Sequence, residues 1–142
     1  MDGDGAVDDE TGDALVDVAV AARRRAYAPY SRFFVGAALR AAGGGLHAGC
    51  NVENAAYPQG TCAEAGAIAA MILAGDTRIA ELVIAGGGTA PCTPCGGCRQ
   101  KIREFASPDL LIRMVDADGR PLLARTLAEL LPDSFGPDNL AG

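Results

Sequence analysis

Apolar residues recur at helical spacing through "DALVDVAVAARRRAYA", from a start at Thr11 or Asp13 to a stop before Pro29, and predict an opening helix. "FFVGAALRA" and "GLHAGCNVE" are short, apolar-rich runs separated by Gly43-Gly44-Gly45, which reads as two strands of a hairpin. "TCAEAGAIAAMILAG" is apolar nearly all round, the pattern of a buried helix, and Gly75 ends it. "IAELVIAGGG" reads as a strand running into a flexible loop. "CGGCRQKIREFA" follows as a helix, buried at its start and amphipathic later, stopped before Pro108. "DLLIRMVDA" is a further strand and "RTLAELLP" a last helix, and no internal repeat interrupts the series.

The order α-β-β-α-β-α-β-(β)-α predicts an α/β fold with three layers, α-β-α, around a mixed sheet of about five strands. The hairpin supplies the antiparallel edge and the βαβ units the parallel strands. Sheets of this kind place ligands in the crevice at the carboxyl ends of their strands. Cys62 and Cys95 both open helices that follow strand-like segments. The acidic, Gly-rich residues 1–12 carry too little apolar content to pack and are expected to be disordered. Residues 13–142 are expected to form one domain, a length that buries a real but modest core.

A net charge of −6 and a pI near 4.6 argue against a surface that tracks phosphates, so no nucleic-acid partner is expected. The one basic run, Arg23-Arg24-Arg25, lies in the first helical stretch and reads as a solvated helix end or subunit contact. No apolar run approaches the ~18 residues of a membrane span, and the first residues are acidic where a signal peptide is basic. The cysteine count is odd, five, with three clustered, which suits a reducing compartment better than a disulfide framework. A soluble, cytoplasmic protein is expected.

That cluster, "PCTPCGGCR", is where chemistry enters. Cys95 and Cys98 lie one turn apart at the start of a helix, and Cys62 lies at the start of an earlier one, places where the macrodipole favours the thiolate that binds metal. Two helix N-termini side by side would present three thiolates to one zinc ion and leave its fourth position open, the mark of a catalytic rather than structural site. Glu64 is two residues from Cys62 and would reach the open position without ligating the metal. Thr61 and Glu64 read equally as a capping box. The ligand-x-Glu pair "CAE" followed by "PCGGC" has the layout of the zinc deaminases of nucleobases. The single histidine, His47, is not followed by x-Glu and reads as a strand surface residue.

With "PYSRFFVGAAL", "GCNVENAAYPQGTCAE", "PCGGCRQ" and "LLPDSFGPDNL" in this order, the chain resembles the cytidine deaminase family, the small homotetrameric type with three cysteines on zinc, from Ala14 to Leu140. The resemblance implies one zinc ion per chain on Cys62, Cys95 and Cys98. It also implies hydrolytic deamination of cytidine and 2′-deoxycytidine, in pyrimidine salvage, by hydroxide attack on C4 with Glu64 as proton shuttle. Asn51 and Glu53 would hydrogen-bond the ribose, Phe33 and the backbone of Ala63 would meet the base, and Phe135 would reach a neighbouring subunit's site. The chain departs from the family at Ala65, where arginine commonly offsets the thiolate charge. Arg99 is expected to take over that compensation.

Three rival readings remain at this level. A closed site of four cysteines, completed by Cys50 or Cys92, would bind zinc without turnover. Cys92-Thr93-Pro94-Cys95 has the spacing of a redox dithiol. The deaminase chemistry could also serve another cytosine nucleoside, an antibiotic or one with a modified base.

Overall fold

Strand β1 (Gly36–Ala41) is buried at every position except Arg40, the signature of a central strand covered on both faces. In the computed structural model, which describes residues 6–141, β1 lies second in a five-stranded sheet. The other strands are β2 (Leu46–Cys50), β3 (Ile79–Ala85), β4 (Leu111–Val115) and β5 (Pro121–Thr126), and the sheet order is β2-β1-β3-β4-β5. Successive side chains alternate between the two faces. Ala37, Leu39, Leu82, Ile84, Ile112 and Met114 therefore share one core with helices α2 (Ala63–Leu73) and α3 (Gly96–Phe105). Ala38, Val83, Ala85 and Val115 pack on the opposite face against Leu15, Val16, Ala19 and Val20 of helix α1 (Ala6–Arg23). The expected three-layer α-β-α arrangement is observed. Fully buried side chains such as Ile84 and Ile112 each contribute about 1.5–3 kcal/mol of apolar burial.

The hairpin forms where Gly43-Gly44-Gly45 was expected to turn. Gly44 takes φ +101°, and the Ala41 amide closes the turn on the Gly45 carbonyl at 2.8 Å. Only one neighbouring pair of strands, β3 and β4, is parallel. The crossover through α2 does join strands of like direction, but β1 lies between them and runs antiparallel to both.

Three boundaries differ from the sequence pattern. Helix α1 starts at Ala6 rather than Thr11 or Asp13, so part of the segment expected to be disordered is helical. Once nucleated by the packed turns from Leu15 onward, a helix extends backwards at one hydrogen bond per residue fixed. Residues 1–5, the head of that segment, lie outside the described residues. The bracketed strand before the last helix is real: it is β5, and it forms the far edge of the sheet. The last helix, α4 (Leu127–Leu130), is a single turn, with Thr126 and Glu129 forming a capping box at its start.

Glycines set how closely the helices approach the sheet. A Cβ on Gly49 would lie 2.4 Å from the Ala63 carbonyl oxygen and 2.4 Å from the Ala67 nitrogen, so β2 admits the first turn of α2 only because residue 49 lacks a side chain. Gly36 plays the same part for α1, where a Cβ would lie 2.2 Å from the Ala19 oxygen. Gly49→Ala is expected to lift the start of α2 and cost about 1–3 kcal/mol of stability. Its urea midpoint should fall with the m-value unchanged, and an unchanged midpoint would show that α2 is not seated on this glycine.

Candidate metal centre and active site

Helices α2 and α3 begin side by side, with Cys62 as the N-cap of one and Cys95 as the N-cap of the other, both in extended conformation. The Cys62 sulfur does not cap its own helix and is free to face a common point with that of Cys95. Cys98, in the first turn of α3, is buried beneath them. The three Sγ atoms lie within 4.8 Å of one another, and those of Cys62 and Cys95 are 4.0 Å apart. Tetrahedral ligation at about 2.3 Å per Zn–S bond asks for sulfurs roughly 3.8 Å apart, so the trio fits zinc with little movement. Among the described residues no other cluster of Cys, His, Asp or Glu forms such a donor set, and neither Cys50 nor Cys92 joins this one. The closed four-cysteine reading therefore lacks its fourth ligand, and the fourth direction is left to the adjoining cavity.

Burial governs the protonation of this cluster. Desolvation raises the Cys98 and Cys62 thiols, whereas Cys95 is lowered, chiefly by the backbone amide of Cys98 donating to its sulfur. A bound divalent cation reverses that balance, because a coordinating thiol is deprotonated outright. Cys92 is pushed up to about 11, mainly by burial, and is a neutral thiol at neutral pH.

Among the described residues Glu64 is the only buried charged side chain, 4% exposed. Desolvation raises its carboxyl, opposed in part by a hydrogen bond from its own backbone amide, by hydrogen bonding to Cys98 and by the charge of Lys101. The capping-box alternative does not form. Cys62 is the N-cap, and Thr61 instead exchanges backbone hydrogen bonds with Val52, at 2.8 and 2.9 Å. The carboxyl group is thus not tied into a capping box and is available to the cavity.

That cavity, about 180 Å³, is lined by Cys62, Ala63, Glu64, Cys92, Thr93 and Cys95 on one side and by Phe33, Val35 and Asn51 on the other. Thr93 and Val35 were not singled out from sequence. The signals were present: Thr93 sits inside "PCTPC", and Val35 alternates with Phe33 along an extended segment. Asn51 accepts from the Val35 amide at 2.9 Å and donates to the Phe33 carbonyl at 2.8 Å, so it fixes the wall that Phe33 belongs to.

Glu53 does not line this cavity. Strand β2 ends at Cys50, yet Val52 still bridges Tyr27 and Thr61, so it is the donors of the 30–31 turn, rather than a loss of extended backbone, that hold the Glu53 carboxylate away from the cavity. The Glu53 carboxylate accepts from the Tyr30 amide at 3.0 Å, the Ser31 amide at 3.1 Å and the Ser31 hydroxyl, and these bonds, the hydroxyl's first, lower its pKa. It lines a neighbouring cleft with Tyr30, Ser31 and Tyr57, across the segment that carries Phe33.

Arg99 differs from its expected role. Its guanidinium donates to the Pro94 carbonyl at 2.6 Å and to the Leu130 carbonyl at 2.7 Å, so it ties the turn before Cys95 to the end of α4 rather than facing the sulfurs. Arginine presents several fixed donors, and two backbone acceptors lie within its reach. Phe135 is absent from the cavity of its own chain and is 57% exposed. Its carbonyl accepts from Gln100 at 2.8 Å, and Arg103 holds the flanking residues through the Ser134 hydroxyl and the Asp138 carboxylate, each at 2.9 Å.

The sequence pattern of the cytidine and deoxycytidylate deaminase zinc-binding region matches residues 9–114. A cytidine deaminase of Mycobacterium tuberculosis is 42% identical over 115 residues, 81% of this chain and 82% of the relative. One from Sporosarcina psychrophila is 38% identical over 120 residues, 84% and 88% of the two chains. The crystal structure of cytidine deaminase from Burkholderia pseudomallei superposes with a TM-score of 0.80 at 41% identity, covering 86% of this chain and 97% of that one.

Metal analysis tests the ligand set. Cys62→Ser, Cys95→Ser and Cys98→Ser should each drop from about one zinc per chain towards none, while Cys92→Ser retains it; the converse result for Cys62 and Cys92 would reassign the third ligand. Arg99→Ala should lower stability by about 2–3 kcal/mol through the two lost charged hydrogen bonds, with Arg99→Lys recovering part of it. A denaturation midpoint equal to wild type would show that these bonds carry no load.

Proposed function

Because the chain belongs to the cytidine and deoxycytidylate deaminase family, we propose that it hydrolyses cytidine and 2′-deoxycytidine to uridine and 2′-deoxyuridine with release of ammonia. The observation that carries this reading is a buried carboxyl group, not tied into a capping box, in the same small cavity as two of the three thiol donors. Zinc held by Cys62, Cys95 and Cys98 supplies a nucleophile at neutral pH, since coordination lowers the pKa of water from ~15.7 towards ~7.

The chain's own residues do the rest. Glu64 accepts the proton shed by the attacking water and delivers it to N3 of the pyrimidine as C4 is attacked. The carboxylate then takes the remaining proton from the new C4 hydroxyl and hands it to the amino group; the C4–N bond breaks, ammonia leaves and the C4 carbonyl forms. A group that both takes and gives a proton works best with a pKa near the operating pH, and burial shifts Glu64 in that direction. Phe33 forms the apolar wall for the base, and Asn51 fixes that wall by bonding residues 33 and 35. Backbone groups of Ala63 meet the pyrimidine edge. Glu53 in its own cleft holds the 30–31 turn and reaches the ribose only from that side.

We further propose a homotetramer in which Phe135 of one subunit completes the site of another. Supporting this, Phe135 is anchored through its backbone with its ring exposed, and Tyr27, Tyr30, Phe33, Val52 and Tyr57 are exposed apolar side chains. Clustered exposed apolar groups of this size mark interaction surfaces. A cytoplasmic place in pyrimidine salvage is supported by five unbridged cysteines. No described helix is long and apolar enough to cross a membrane.

The ultraviolet change of cytidine, deoxycytidine and other amino-pyrimidine nucleosides with purified enzyme tests the reaction. Glu64→Gln should keep its zinc and lose at least about 100-fold in turnover. Wild-type rates in that variant would remove Glu64 from the proton path, and a zinc-loaded but inert wild type would end the enzymatic reading. Light scattering should give a mass near four chains; a single-chain mass would sink the shared-site role of Phe135.

A further inference from the structure

A second cavity, about 350 Å³, lies on the opposite face of the sheet between α1 and the β4–β5 hairpin, and shares no residue with the catalytic cavity. Its walls are apolar: Val16 from α1, Val115 from β4, and Pro121, Leu122 and Ala124 from β5. Arg113 is the single charged residue among its described lining. On the sheet Arg113 sits between Val83, fully buried, and Ala124, whose small side chain on the edge strand leaves the space over the guanidinium unfilled.

The Arg113 side chain makes no hydrogen bond or ion pair with any described residue, and its Nη2 is buried. Nearby carboxylates are committed elsewhere. Asp116 accepts from the Asp118 and Arg120 amides, both at 2.9 Å, and Glu81 pairs with Arg40 at 2.6 Å. A guanidinium does not lose its proton in a protein, and a buried N–H donor without a partner is costly, so this atom of the half-buried side chain is complementary to an anion. One cation balances one negative charge. A phosphate near neutral pH carries more than one and would set polar oxygens against Val16 and Leu122. A carboxylate with a short hydrocarbon body leaves neither mismatch. The volume lies at the lower end of small-molecule pockets, about 300–1,000 Å³.

We propose that this cavity is a second ligand site, for a small monocarboxylate with an apolar body, held by Arg113. Isothermal titration of the zinc-loaded enzyme with 4-methylpentanoate should give saturable binding at one site per chain. The uncharged 4-methylpentanamide should bind at least about tenfold more weakly, the loss expected for a charge-assisted hydrogen bond, and inorganic phosphate should not saturate. Arg113→Met removes the cation and Ala124→Phe fills the cavity while keeping it. Both should abolish binding and leave cytidine turnover at the wild-type rate, and each variant's melting temperature shows that it is folded. No saturation by about 10 mM, or equal binding to a folded Arg113→Met variant, overturns the proposal. A variant with Asp8→Asn, Asp9→Asn, Glu10→Gln and Asp13→Asn separates another source of carboxylates, the chain's own acidic head. Binding equal to wild type is expected, and binding seen only in this variant would show that the head fills the site and would overturn a solution ligand.

Discussion

Three thiols and a carboxyl group in one pocket repel one another once ionised and are costly to bury, so forces outside the pocket must hold them together. Two devices do so. Gly49 lets the first turn of α2 settle onto β2, which fixes Cys62 and Glu64. Arg99 draws the Pro94 carbonyl and the end of α4 together, which fixes the entry to Cys95 and Cys98. The site is thus assembled from two helix starts, each located by a contact made behind it. Glu64 depends on this arrangement most. Its raised pKa comes first from desolvation, and it is desolvated because α2 is pressed against the sheet.

Much of the fold was legible because its elements carry strong local signals. The buried helix 63–73 is apolar on most sides, the hairpin is marked by three consecutive glycines, and Pro108 follows closely on α3. The metal ligands were legible for a different reason: thiols at two helix starts have few structural uses, so their chemistry shows through the sequence. The start of α1 was not legible, because helix propagation from a packed segment depends on tertiary anchoring that the residues before Leu15 do not display. The extent of the last helix was overstated, since "RTLAELLP" does not show that Thr126 belongs to β5 and caps the single turn of α4.

The site residues that shifted share a cause. Strand alternation pairs Asn51 and Glu53, yet different backbone groups capture them, those of residues 33 and 35 for Asn51 and of the 30–31 turn for Glu53. Arg99 was assigned by its charge and its place beside Cys98, whereas two backbone carbonyls captured its donors. Sequence spacing predicts direction well inside an element and poorly past its end, and it does not reveal which backbone acceptors a long side chain will find. Arg113 is the converse case: an ordinary residue in an apolar strand becomes notable only when the neighbouring strand places an alanine beside it.

The binding of residues 134–139 to α3 has a consequence for assembly. Gln100 and Arg103 lie on the same helix whose first turn bears Cys98, and they grip Ser134, Phe135 and Asp138. Gly136 is pinned as well, since a Cβ there would lie 2.4 Å from the Arg103 guanidinium carbon. The carboxyl-terminal segment is therefore carried on α3 as a pointer on its axle, and the Phe135 ring is held outward by the backbone contacts on either side of it. Under the proposed shared site, the helix that bears Cys98 in its first turn also sets the bearing of the residue offered to a neighbour.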